Sequence, residues 1–81
     1  MDAARHRAFW ATITSSGQQF TASSWTDGLS TPAADQRQVE TFSSIADAAQ
    51  HVHDLAQAKR CEAIFWHPGS AWMAGEIEKV R

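Results

Sequence analysis

Ser44-Ile45-Ala46-Asp47-Ala48-Ala49-Gln50-His51-Val52-His53-Asp54-Leu55-Ala56-Gln57-Ala58-Lys59 is the stretch that decides the fold. Ile45, Ala48, Ala49, Val52, Leu55 and Ala56 follow the i, i+3, i+4, i+7 spacing of one buried helical face. Ser43 or Ser44 suits the N-cap, and Asp47 sits in the first turn, where the helix dipole favours negative charge. Lys59 and Arg60 bring the favoured sign to the other end. A buried face this rich in alanine lets the helix lie close against a sheet.

On both sides of this helix the pattern changes to a period of two, the signature of strands. Arg37 to Phe42 leads directly into the helix, with Val39 and Thr41 on one face and Gln38, Glu40 and Phe42 on the other. Ahead of it, Ala8 to Thr14 and Gln19 to Trp25 form a hairpin around Ser15-Ser16-Gly17-Gln18. After the helix, Glu62 to His67 is closed by the turn His67-Pro68-Gly69-Ser70, and Ala71 to about Lys79 returns antiparallel. Gly75 inside that last strand marks a bulge or a close backbone approach. The expected fold class is α+β: an antiparallel sheet of four to five strands in the order β-β-β-α-β-β, with one helix packed on one face. Residues 1–81 form a single domain with one modest core. Thr26 to Gln36 is the only long irregular segment, and loops of that length are often functional.

Strand parity sorts the aromatic residues. Phe9, Ala11 and Ile13 oppose Trp10, Thr12 and Thr14, and Phe20 and Ala22 oppose Thr21, Ser23 and Trp25. In the later pair, Phe65 opposes Glu62, Ile64 and Trp66, and Met73 and Ile77 oppose Trp72, Glu76 and Glu78. The phenylalanine side reads as core. The tryptophan side, mixed with Thr, Ser and Glu, reads as the open face of the sheet. Trp10, Trp25, Trp66 and Trp72 there are expected to form a partner-binding patch, since tryptophan is enriched at interface hot spots. Trp25 and Trp72 are the expected anchors, with Asp27 and Asp35 on the adjoining loop as steering charges. The alternatives are that sheet twist separates the four, or that the Thr26–Gln36 loop folds over them as a second small core.

Other chemistries find less support. Net charge is −2, which gives no general pull toward nucleic acid or anionic membranes. A single-stranded nucleic-acid binder would stack bases on sheet aromatics, but it needs a basic groove, and Glu62, Glu76 and Glu78 are expected on the tryptophan side. No apolar run is long enough to span a bilayer, and Met1 to Arg7 lacks the apolar stretch of a secretory signal. With a single cysteine, Cys61, the chain is expected in the reducing cytoplasm. His51 and His53 are about 200° apart on the helix, so they sit at its two rims and cannot chelate one ion together. Neither they nor Cys61 and His67 form a metal pattern, and no cofactor motif is present. Cys61, expected half-buried, and His67 stand roughly 20 Å apart along one strand, too far for a nucleophile and its base. The chain is not expected to be an enzyme.

Val39-Glu40-Thr41-Phe42-Ser43-Ser44-Ile45-Ala46-Asp47-Ala48-Ala49, then Leu55-Ala56, then Ala63-Ile64-Phe65-Trp66, resembles the β-α-β-β unit of several small bacterial and phage domains. Small phage anti-CRISPR inhibitors include proteins of similar size, mild acidity and one-helix sheet design. The resemblance covers residues 39–78 and concerns pattern, so it carries no functional residue across. It implies a non-enzymatic inhibitor in the host cytoplasm that occupies a surface of a CRISPR effector subunit or its nuclease. The competing expectation is a structural homodimer that closes its own open sheet face.

Overall fold

The computed structural model describes residues 9–26 and 37–80. The chain runs β1 (Phe9–Ser16), β2 (Gln19–Thr26), β3 (Gln38–Phe42), α1 (Ile45–Ala58), β4 (Ala63–Trp66) and β5 (Ile77–Lys79). It is an α+β fold with one five-stranded sheet in the spatial order β3-β2-β1-β4-β5. Three pairings are antiparallel, and the fourth, β1 with β4, is parallel. The reason is α1. It leaves β3 at one edge, crosses over β2 and β1, and delivers β4 in the same direction as β3, as a crossover connection must.

Local chemistry sets the element ends. Gly17, at φ +63°, takes the first place of a two-residue hairpin loop, where a positive φ matches the twist of the flanking strands. Ser44 caps α1, its hydroxyl accepting from the Asp47 amide at 3.3 Å. The helix ends in a Schellman motif: the Arg60 amide donates to Gln57 and the Cys61 amide to Ala56. Arg60 holds the left-handed position, φ +61°, that glycine usually fills there.

The core lies between α1 and the facing side of the sheet. Phe9, Ala11, Ile13 and Ala22 enter it as expected, against Ala48, Ala49, Val52 and Ala56 of the helix. Cys61 is fully buried rather than half-buried, packed under the helix terminus that its own amide closes.

Two expectations are corrected on the C-terminal side. Because Phe9 pairs with Ile64 and Ala11 with Trp66, the inward residues of β4 are Ile64 and Trp66. Trp66 is 2% exposed, and Phe65 takes the outer face instead. The alanine face of the helix leaves room that one large side chain fills. The strand expected from Ala71 to Lys79 is confined to Ile77–Lys79. Residues 71–76 bend, because β1 rather than β4 holds their start. The Ser70 hydroxyl accepts the Ile13 amide at 3.0 Å, and the Ala71 amide donates to the Ile13 carbonyl at 2.7 Å. Positive φ at Met73 and Gly75 then turns the chain back to β5. A Cβ at Gly75 would meet nothing within 4 Å, so the requirement there is conformational, not a close approach. No helix among the described residues is long and apolar enough to cross a membrane.

Candidate functional site

The face of the sheet away from α1 carries an aromatic row that crosses the strands. Trp25 of β2 is paired with Trp10 of β1, Trp10 with Phe65 of β4, and Phe65 with Ile77 of β5. At about 4.8 Å between strands, those four residues span roughly 14 Å. The Trp10 and Phe65 rings are 5.2 Å apart and tilted by 37°, an edge-leaning contact favoured by the ring quadrupoles. Arg37 extends the row at the β3 side, its guanidinium carbon 5.8 Å from the Trp25 ring centre. Beside this row the face turns polar: Ser23 pairs with Thr12 and with Val39, and Thr21 with Thr14 and with Thr41.

The row is unevenly exposed. Ile77 is 62% exposed and closes one end, whereas Trp25 is 5% exposed. Trp10 and Phe65 are half-buried between them. The Trp10 indole N–H is buried and meets no acceptor among the described residues. Val39, 55% exposed, lies one row away on the edge strand.

The structure therefore divides the four tryptophans. Trp10 and Trp25 share the open face. Trp66 is in the core, and Trp72, in the bent 71–76 segment, packs against the core from the helix side. Asp27 and Asp35 lie outside the described residues. The acidic residues move as well. Glu78 pairs with inward Ile64 and so belongs to the helix side, and Glu62 and Glu76 fall outside the strands. The strand residues of the open face are then free of carboxylates, and Lys79 is on it, opposite Ala63.

A second feature, not expected from sequence, sits on the helix side. A cavity of about 400 Å³ is lined by Ala46, Ala49, Gln50, His53, Trp72 and Glu78. Trp66 Nε1 donates to Glu78 Oε1 at 3.0 Å, and Glu78 Oε2 lies 3.1 Å from His53 Nδ1. This chain anchors the buried indole, which needs a partner for its N–H, to the rim of the helix. His51 faces the other rim and packs on Phe42, ring centres 5.0 Å apart. The two histidines thus sit at opposite rims as their spacing requires. The His67 ring accepts the Gly69 amide at 2.9 Å and closes a turn. No group of three or more metal-ligating side chains comes together among the described residues.

Phe65, Ile77 and Arg37 are the members of the row that strand parity did not mark. Register places them: Phe65 pairs with Trp10 and Ile77 with Phe65, while Arg37, just ahead of β3, reaches Trp25. No family model, no curated protein and no solved structure matches this chain.

Proposed function

We propose that this chain is a non-enzymatic protein-binding module that uses the aromatic row of its open sheet face. One observation carries the reading: Trp25, Trp10, Phe65 and Ile77 line up across four strands on the side away from α1. Ile77 is 62% exposed and Trp10 and Phe65 are half-buried, so these three, with buried Trp25 closing the row, fit the anchor of an interface, and the Ser and Thr rows beside them fit its polar rim. The narrower form, an inhibitor seated on a CRISPR effector subunit or nuclease, rests on the pattern resemblance of residues 39–78 alone.

A second reading, single-stranded nucleic acid, gains from the same face. Its outward-facing strand residues carry no carboxylate, and Arg37 and Lys79 flank the aromatics. The overall charge of −2 argues against it.

Affinity capture from bacterial lysate tests the protein reading, with Ile77→Asp and Trp10→Ala alongside the parent chain. The expected result is a stoichiometric protein held by the parent and lost from both variants while their far-UV spectra are retained. Truncating an interfacial tryptophan should cost about 2 kcal/mol or more of binding. Retention of the same protein by both variants would refute the row as the site. Steeply salt-dependent binding of short single-stranded oligonucleotides, abolished by Trp10→Ala, would instead establish the second reading. Restored phage growth in a CRISPR-immune host, dependent on Ile77, would support the narrower form.

A further inference from the structure

Edge strands invite pairing with another chain, and natural sheets protect them with proline, lysine, bulges or extreme shortness. β5 has two of these protections: it is three residues long and carries Lys79. β3 has none. Gln38–Phe42 contains neither proline nor lysine, and it pairs with β2 without a bulge from Ser24↔Gln38 to Phe20↔Phe42. Its residues are exposed up to Thr41.

The hydrogen-bonding phase of this edge follows from the first hairpin. A two-residue loop makes Ser16↔Gln19 a bonded pair, and bonded pairs then alternate at Thr14↔Thr21, Thr12↔Ser23 and Trp10↔Trp25. Phe20, Ala22 and Ser24 are left to bond β3, at Phe42, Glu40 and Gln38. The N–H and C=O of Val39 and Thr41 therefore point away from the sheet, where no further strand lies among the described residues.

We propose that β3 pairs antiparallel with β3 of a second copy, Val39 opposite Val39, to join two sheets into one of ten strands. A two-fold axis between identical strands must pass through a residue pair, because bonded and non-bonded pairs alternate. Four such registers, centred on Gln38, Val39, Glu40 or Thr41, keep the outward groups of the two strands facing each other. Centring on Thr41 sets Glu40 against Phe42 and Val39 against Ser43, past the end of the strand. Centring on Glu40 sets like charges opposite one another, which is destabilising. Centring on Gln38 sets Arg37 against Val39. Centring on Val39 makes the edge self-complementary. Two exposed valines meet on the open face, Gln38 meets Glu40 twice on the helix side, and Arg37 meets Thr41 twice. This contact shares only Arg37 with the aromatic row and uses none of Trp25, Trp10, Phe65 and Ile77, so it can be tested apart from them.

Sedimentation of the whole chain over a concentration series tests the pairing. The parent is expected to show a monomer–dimer equilibrium. Val39→Pro removes an N–H aimed at the second copy and spares every β2–β3 bond, so it should be monomeric with its far-UV spectrum retained. Gln38→Lys places opposite charges across the axis twice and should tighten the dimer roughly three- to tenfold, while Gln38→Glu should loosen it as much. A parent that stays monomeric up to its solubility limit would overturn the proposal. So would a dimer that survives Val39→Pro, or one that responds alike to the two Gln38 changes.

Discussion

Replacing Ser70 by alanine should destabilise this protein far beyond what a loop serine ordinarily does. The hydroxyl makes three hydrogen bonds. It accepts the Ile13 amide at 3.0 Å and the Trp72 amide at 3.1 Å, and donates to the Trp72 carbonyl at 2.9 Å. Ile13 is fully buried, so no water replaces the lost acceptor. An orphaned buried amide costs about 1–3 kcal/mol. The two bonds to half-buried Trp72 add about 1 kcal/mol together, since solvent can take them over in part. The sum is about 2–4 kcal/mol. A chain of 81 residues has roughly 4–12 kcal/mol of stability in all. The loss should therefore be plain in urea denaturation, as a lower midpoint at unchanged slope. Amide exchange locates it: Ile13 should lose protection while the β1–β2 pairs near Ser16↔Gln19 change little. Ser16→Ala, at an exposed hairpin end, is the control and should stay within about 0.5 kcal/mol. A Ser70→Ala change below about 0.5 kcal/mol, with Ile13 still protected, would refute the reasoning.

Arg60→Gly should raise stability by about 0.5–1 kcal/mol, because it relieves a side chain held at φ +61° in the Schellman turn; a drop in the unfolding midpoint would contradict this assignment. Trp66→Ala should cost about 3–5 kcal/mol as a core truncation, while Ile77→Ala on the outer face should stay within about 0.5 kcal/mol. Thermal melts that rank the two the other way would place β4 in the opposite parity. Glu78→Ala should cost about 1–3 kcal/mol by leaving the Trp66 indole N–H without its acceptor, read as an upfield shift of that proton and a lower melting point; an unmoved proton resonance would show that the bond is absent.

The parts of the fold legible in sequence are those set by near neighbours. The alanine-rich stripe, the Ser44 cap and the inward set Phe9, Ala11 and Ile13 depend on spacing within one element or one hairpin. The opposite placement of His51 and His53 follows from helical geometry alone. What escaped were features set across the β1–β4 pair. The phenylalanine-inside pattern of the first hairpin does not extend to β4, because register with Phe9 and Ala11 decides its parity. Ile64 with Trp66 also buries more apolar area than Ala63 with Phe65, a local cue that favoured the observed side. The bend at residues 71–76 had no such cue. Nothing in the sequence distinguishes Ser70, whose hydroxyl stands in for a strand carbonyl, from the exposed serines of the first hairpin.

The parallel β1–β4 seam also sets the order in which the open face can be assembled. Phe9 and Ile64 are fifty-five positions apart in the chain, whereas Trp10 and Trp25 belong to one hairpin. Closing the longer loop loses more chain entropy, so the two tryptophans can meet early and Phe65 with Ile77 can join only once the seam has formed. Loop-closure entropy thus favours a route in which the tryptophan half of the row precedes the Phe65–Ile77 half. A chain with β4 and β5 detached would keep its tryptophan pair and lack the exposed isoleucine end, which makes the seam a gate between a folded hairpin and a complete surface.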